Sequence, residues 1–372
     1  MITEEVTISR QVKFIEYIYC LWQAVVDGDY GKGDDSEMLC NCICDGFESG
    51  MNDTVRKVLC AMLAAQRYPW EQGVAAQAAY ENGWKEIWLP MAYDAVQRAL
   101  PDGRLAMAGA EVPVADSAAV GEVCFRAFEE TGDVYFRKAA DGMLDYLMDR
   151  APRTDNGLIC HNTVSFQDGF TSRQLWVDGM YMVPPFLAVM GELDEAKRQL
   201  DGYMDALLDR DLLLFRHIWD AGSGRFVRDV HWATGNGWAL MGLTRVAAEA
   251  KRRGRKDLED ALMAELRVLI PALMRYQTED GRFHDILDDP NSFMDGTSSL
   301  MFAYTVYRCL REGWIPEGTR TAADRAFESA EKRIDGMGLL REVCGNPDFV
   351  KSGTSVEAQA AYLLAWSQKK PN

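Results

Sequence analysis

The sequence predicts an all-α fold of six helix pairs, and three observations carry that prediction. Val/Ile/Thr-rich alternating runs, the usual mark of strands, are scarce in the 372 residues. Apolar residues instead recur at three- and four-residue spacing, as in AADGMLDYLMDRA, EAKRQLDGYMDALLD and LEDALMAELRVLIPALMRY. A second kind of helix alternates with these. It opens with Gly, Ser or Thr, then runs apolar with small residues and few charges.

Taken in order, the amphipathic helices fall at about 52–66, 84–100, 133–150, 193–209, 257–278 and 317–334. Each precedes one small-residue helix: EQGVAAQAAY, DSAAVGEVCFRAF, TSRQLWVDGMYM, ATGNGWALMGLTRVAA, DGTSSLMFAYTVYRCL and SGTSVEAQAAYLLAW. Their markers are Gly73, Ser117, Ser172, Gly235, Thr297 and Thr354. This is an internal repeat of helix pairs. The small-residue helices belong inside, and the amphipathic ones cover them. A closed toroid of six inner and six outer helices satisfies the pattern. An open superhelix also satisfies the repeat, although the uneven spacing argues against a regular solenoid.

Two stretches depart from helix. LLLFRHIWDAGSGRFVRDVHW alternates partly on either side of DAGSG and reads as a short hairpin carrying His217, Trp219 and His231. RTDNGLICHNTVSFQDGF reads as a loop carrying His161. Pro184 and Pro185 are expected to end or kink the third inner helix. No linker composition divides the chain. The expectation is therefore one domain over residues 1–372, with 5–48 an additional N-terminal helical segment.

Composition excludes several classes of function. Fifty-seven acidic against 40 basic residues give a net charge of −17, with no basic stripe for a nucleic-acid backbone. No run of 18 apolar residues suggests a membrane span. MITEEVTISRQVKF lacks the charged start and apolar run of a secretory signal. Nine cysteines, an odd number, are expected to be reduced thiols in a cytoplasm. Cys40, Cys42 and Cys44 do not have a zinc-ribbon spacing and read as small buried side chains. Four scattered histidines suggest no metal site, and no cofactor is expected.

The N-terminal ends of the inner helices would share one face of a toroid. Aromatics and acids accumulate there: Trp70, Glu71, Asp116, His161, Trp176, Asp178, His217, Trp219, Trp232, Trp238 and Asp295. Rings beside carboxylates suit a carbohydrate, whose C–H faces stack and whose hydroxyls need partners. Asp178 sits within an apolar helix, in Trp-Val-Asp-Gly-Met-Tyr. It is either paired structurally or raised in pKa for acid/base work. Asp116 opens DSAAVG, where an N-cap is the local reading. Gly235-Asn236-Gly237-Trp238 reads as a tight turn entering a helix, with glycines at positive φ.

The ordered set GLICHNT, QLWVDGMYM, FRHIWD, WATGNGW and DGTSSLM resembles the unsaturated rhamnogalacturonyl hydrolases of glycoside hydrolase family 105, relatives of the unsaturated glucuronyl hydrolases of family 88. The resemblance covers roughly residues 60–366. It implies an (α/α)6 barrel, which matches the six pairs. It also implies Asp178 as general acid/base, Asp116 as its partner carboxylate, and His161, His217, Trp232 and Trp238 facing the substrate. Trp70 and Thr234 complete the expected binding residues. The family commonly has arginine where this chain has Thr234, so Arg173, Arg216 and Arg228 are candidates for the missing cation.

The implied reaction removes a Δ4,5-unsaturated uronic acid from the non-reducing end of a short oligosaccharide by enol-ether hydration. Apolar neighbours and Asp116 are expected to push Asp178 upward in pKa. An inverting glycosidase on a saturated sugar and a non-catalytic glycan-binding barrel are the alternatives.

Overall fold

Six helical segments rich in small residues are buried on nearly every side. A computed structural model describes residues 51–107, 112–163, 171–345 and 349–369. Asp53–Asn372 forms one compact unit. The expectations for residues 5–48 and for Cys40, Cys42 and Cys44 lie outside the described residues.

The first helix, α1 (Asp53–Ala65), is amphipathic and outer. The first inner helix, α2 (Pro69–Glu81), starts with proline at a position whose N–H needs no helical partner. Outer α3 (Lys85–Gln97) follows. The second inner helix is split into α4 (Ala115–Ala119) and α5 (Gly121–Thr131). Outer α6 (Val134–Asp149) is capped by Asp133, whose side chain accepts from the Tyr135 N–H.

The third inner helix differs from its sequence expectation. Gln174–Trp176 is strand β1, and helix begins only at Gly179. The reason is tertiary: β1 pairs antiparallel with a strand more than 40 residues later, a partner that local periodicity does not reveal. α7 (Gly179–Met182) and α8 (Pro184–Met190) then meet at a break at Val183, where the prolines restart the helix.

Outer α9 (Leu193–Leu207) leads into β2 (Leu208–Asp209), β3 (Leu214–Phe215), β4 (Ile218–Asp220) and β5 (Arg225–Arg228). The expected hairpin is β4–β5, and β1 adds to it in the order β1-β4-β5. The last three pairs follow. Inner α10 (Ala233–Arg252) has outer α11 (Lys256–Met274) after it. Inner α12 (Gly296–Arg311) is followed by outer α13 (Arg320–Glu331), and inner α14 (Val356–Lys369) ends the described chain.

Each inner segment touches the next. α2 contacts α4, α4 contacts α7, α7 and α8 contact α10, and α10 contacts α12. α12 contacts α14, which returns to α2. The ring is therefore closed, an (α/α)6 barrel, and the open superhelix is excluded. Small residues set the spacing. A Cβ on Gly242 would lie 2.0 Å from the Met180 carbonyl oxygen, so only glycine lets α10 approach α7 this closely.

Away from the N-terminal turns the barrel holds buried ion pairs. Arg245 on α10 pairs with Glu81 of α2 and donates two bonds to Glu122 of α5, at 2.6 and 2.7 Å. A polar cavity of about 590 Å³ adjoins this cluster. The cysteines among the described residues, Cys60, Cys124, Cys160, Cys309 and Cys344, are all free. Among the described residues no helix is long and apolar enough to cross a membrane.

Candidate active site

The short sheet is what assembles the site, because β1 holds a histidine-bearing segment at either end. The His161 N–H donates to the Gln174 carbonyl at 2.9 Å, and the Val177 N–H donates to the His217 carbonyl at 3.0 Å. On its far side His161 accepts from the Val114 N–H at 2.9 Å, which docks it on the start of α4. Asp178 follows β1 directly, so one strand places both histidines around it.

Gly179 serves the same assembly. A Cβ there would lie 2.6 Å from the Tyr203 hydroxyl oxygen. Its absence lets that hydroxyl pass and donate to the Ile159 carbonyl at 2.7 Å, two residues before His161. Asn236 anchors the other histidine segment. Its side chain accepts from the Phe215 N–H at 2.8 Å and donates to the Phe215 carbonyl at 2.9 Å, imitating a strand partner. Gly235-Asn236-Gly237 is therefore no turn. It lies within α10, and neither glycine has positive φ. Its glycines fit close contacts instead: a Cβ on Gly235 would lie 2.5 Å from a Val177 methyl.

Two carboxylate–imidazole contacts form the centre. His161 Nε2 lies 3.7 Å from Asp116 Oδ1, and His217 Nε2 lies 3.5 Å from Asp178 Oδ2. The rings form a connected wall. His161 stacks on Trp176 at 4.3 Å, Trp176 meets His217 edge-on at 5.8 Å, and His217 stacks on Trp232 at 4.5 Å. Trp232 in turn donates its indole N–H to Asp285 at 3.1 Å.

Arg228 completes this side. Its Nη1 lies 3.0 Å from His217 Nδ1, and its guanidinium sits 5.5 Å above the Trp232 ring. A guanidinium can only donate, so Nδ1 must accept. The neutral ring then carries its proton on Nε2, aimed at Asp178. Neither Nε2 nor Asp178 Oδ2 has a hydrogen-bond partner among the described residues, so this long contact is free to tighten.

The electrostatics reverse one expectation. Burial pushes the Asp116 carboxyl up to about 8, helped by the negative charges of Asp178 and Glu357. Burial would also raise Asp178, but His217, with a lesser contribution from His161, holds it below the ordinary carboxylate value. In the free protein the proton thus sits on Asp116, not on Asp178. Burial holds His161 at about 4, so its ring is neutral at physiological pH. Burial also lowers His217, with Asp178 opposing the shift and Arg228 adding to it.

Asp116 is not an N-cap. α4 begins one residue earlier, at Ala115, and Asp116 makes no capping bond. Trp70 donates to Glu357 and stacks on Tyr68 at 4.5 Å. Thr234 donates to Asp295 at 2.6 Å, and Asp295 caps α12 through the Thr297 and Ser298 N–H groups. The Thr234 hydroxyl is thus engaged in holding two inner helices together. Trp238 is 2% exposed and packs on Tyr181 at 4.6 Å, in the core and apart from the ring wall. Trp219 packs edge-on against Phe226 within the hairpin.

Of the three candidate cations, Arg173 pairs with Asp155 at 2.8 Å, and Arg216 pairs with Asp209 at 2.5 Å. Arg228 alone of the three reaches the imidazole–indole wall. Glu357 was missed in the sequence, although a carboxylate opening the apolar SGTSVEAQAAYLLAW gives the same signal that singled out Asp178. Among the described residues no group of three His, Cys, Asp or Glu side chains is arranged to hold a metal ion.

The sequence profile of Glycosyl Hydrolase Family 88 matches residues 45–359. The chain belongs to Glycosyl Hydrolase Family 88. As a family 88 member it is a glycoside hydrolase, and its relatives agree. It is 27% identical over 248 residues to the unsaturated rhamnogalacturonyl hydrolase YesR of Bacillus subtilis (strain 168), which covers 63% of this chain and 69% of YesR. Its fold is similar to that of a possible family 105 member from Klebsiella pneumoniae, with TM-score 0.72, 19% identity, and 86% of this chain and 94% of the other covered. It is also similar to a family 88 glycosyl hydrolase from Bacteroides vulgatus, with TM-score 0.65, 14% identity, and 85% and 97% covered.

Proposed function

We propose that this family 88 protein removes a Δ4,5-unsaturated uronic acid from the non-reducing end of a short oligosaccharide. The observation that carries the reading is the pair Asp116 and Asp178, two buried carboxyls of which one is raised and the other lowered. At neutral pH such a pair holds one proton between them. The similarity to YesR, an unsaturated rhamnogalacturonyl hydrolase, supports the substrate class.

The proton rests on Asp116 until substrate arrives. The uronate carboxylate brings negative charge beside Asp178 and displaces water, and the proton passes from Asp116 to Asp178, leaving Asp116 ionised. Asp178 then donates it to C4 of the enol ether. Positive charge develops at C5 and on the ring oxygen, and water attacks C5. Asp178, ionised again, takes the proton from that water. The His217 Nε2–H steadies the carboxylate form in this second step. The hemiketal opens to a ketone, and the C1 hemiacetal thereby exposed releases the remaining sugar. Asp178 ends protonated, and the proton returns to Asp116 as the products leave, so the cycle closes.

Arg228 holds the uronate carboxylate, replacing the cation that Thr234 does not supply. Trp232 and Trp176 offer ring faces to the sugar. Small imported fragments as substrates fit a cytoplasmic location. The test is a panel of unsaturated disaccharides, following loss of the absorbance of the conjugated double bond. Turnover by the native protein, reduced at least about 10²-fold in a folded Asp178→Asn variant, supports the reading. No turnover of any member, or a near-normal rate in Asp178→Asn, contradicts it.

A further inference from the structure

The cavity beside the Arg245 cluster lies at the opposite end of the barrel from Asp116 and Asp178. Trp232 precedes α10, while Glu249, Lys251 and Arg252 in the last turns of that helix line the cavity. The 20 residues of α10 span about 30 Å, so the cavity is no extension of the active site. At about 590 Å³ it is large enough to enclose a small molecule. A second hollow of about 540 Å³ adjoins it, and the two share Tyr80, Glu81, Arg308 and Glu312.

The lining has more unused donors than unused acceptors. Five carboxylates and five cations line the cavity. All five carboxylates already pair with an arginine. The arginines are less fully engaged. The Nε atoms of Arg126 and Arg245 are buried without a hydrogen-bond partner among the described residues, on side chains only 10% and 7% exposed. Arg308 donates from Nε to Glu312 at 3.0 Å, but its Nη1 stays 3.9 Å from Glu81. Neither of its terminal nitrogens makes a hydrogen bond among the described residues. Arg311, one turn further along α12, lines the adjoining hollow and donates only to Gln368 among the described residues, at 3.4 Å. The C-terminal end of a helix attracts cations, which accounts for the paired arginines. The unpaired donors need another reason, and buried donors of this kind favour a ligand that brings acceptors.

We propose that this cavity is a second binding site, for a small monocarboxylic acid with a hydroxylated carbon body, held through its carboxylate by Arg308. The planar fork of the two terminal nitrogens matches a carboxylate. The lining favours a carboxylate over phosphate. A phosphate dianion would bring twice the charge toward five glutamates and leave most of the hollow unfilled. Ligand hydroxyls can accept from the unpaired Arg126 and Arg245 nitrogens. They can donate to Glu129, of which Arg126 holds only one oxygen. Pro185 and Val189 of α8 give the carbon skeleton an apolar side. The site stands independently of the hydrolase reading.

The probes are sodium galacturonate, its uncharged counterpart galactose, and inorganic phosphate, each titrated by calorimetry. The titrations use the full chain carrying Arg228→Gln, so that the arginine of the proposed active site cannot hold the carboxylate. Galacturonate is expected to bind with a Kd at least about tenfold lower than galactose or phosphate, the strength of a hydrogen bond to a charged group. Adding Arg308→Gln should weaken galacturonate binding at least about tenfold. In the otherwise native protein, Arg308→Gln should leave kcat/KM on an unsaturated disaccharide within about twofold, because distant sites act independently.

Galacturonate affinity unchanged by folded Arg308→Gln overturns the inference, as does no binding of any probe. Equal affinity for galactose overturns the role of the charge, and phosphate bound as tightly overturns the choice of a carboxylate. Should Arg308→Gln not fold, Arg311→Gln decides. Arg311 is exposed beside the joined hollows, and losing its charge should weaken galacturonate about threefold. No weakening there contradicts the inference. Galacturonate bound as expected by a protein that turns over no unsaturated sugar would overturn the hydrolase reading alone.

Discussion

Asp178 stands out in the sequence because a carboxylate inside Trp-Val-Asp-Gly-Met-Tyr has no local reason to be there. Its proton affinity was not legible in the same way. That depends on His217, which lies 39 positions later and arrives through β1 and β4. Asp116 looked like a helix cap, and only the start of α4 at Ala115 shows it freed from that duty. The raised Asp116 has a measurable consequence. Its unfolded value is about 4 and its folded value about 8, so folding favours the protonated form. The stability this confers is fully present below about pH 4 and is lost as pH rises through about 8. Asp116→Asn removes that loss. Thermal denaturation should show the variant's Tm gain over the native protein growing from about pH 5 to about pH 8. Its kcat/KM should fall at least about 10²-fold, since the stored proton is gone. A Tm difference independent of pH would mean that Asp116 is ionised in the native site.

Helices were the legible elements, because amphipathic periodicity is local. The third inner helix was drawn too long for the opposite reason. TSRQLW carries no signal of its pairing with Ile218–Asp220, and a tertiary partner overrode the pattern. Gly-Asn-Gly was recognised as special, but its purpose required the fold: the glycines admit neighbouring side chains, and Asn236 grips Phe215. That grip positions the segment leading to His217. Asn236→Ala would leave the buried Phe215 N–H and carbonyl unpaired, costing about 1–3 kcal/mol. Denaturant unfolding should register that loss. kcat should fall as well, because His217 would no longer be held against Asp178. A variant with native stability and native kcat would show that the Asn236 bonds hold nothing of importance.

The whole ring is fixed by six repeats whose count was visible in the chain, and closure followed only when α14 met α2. No sequence pattern announced the buried ion pairs, since Glu81, Glu122 and Arg245 come from three separate repeats. Arg245→Met would strand Glu122, which is 4% exposed, without its cation. The expected cost is about 3–5 kcal/mol, with part recovered by adding Glu122→Gln. Chemical denaturation of the single and double variants checks this, and additive losses would contradict the coupling.

The same closure gathers Asp116, Asp178, His161, His217 and Arg228 at one end of the barrel, where the proposed chemistry differs from displacement at an anomeric carbon. Turnover of an unsaturated disaccharide in water containing methanol separates the two, because methanol competes with water for the electrophilic carbon. Protonation of C4 by Asp178 predicts a methyl ketal at C5 with the glycosidic bond still intact, seen by NMR or mass spectrometry. A methyl glycoside at C1 with the C4–C5 double bond retained would contradict the account.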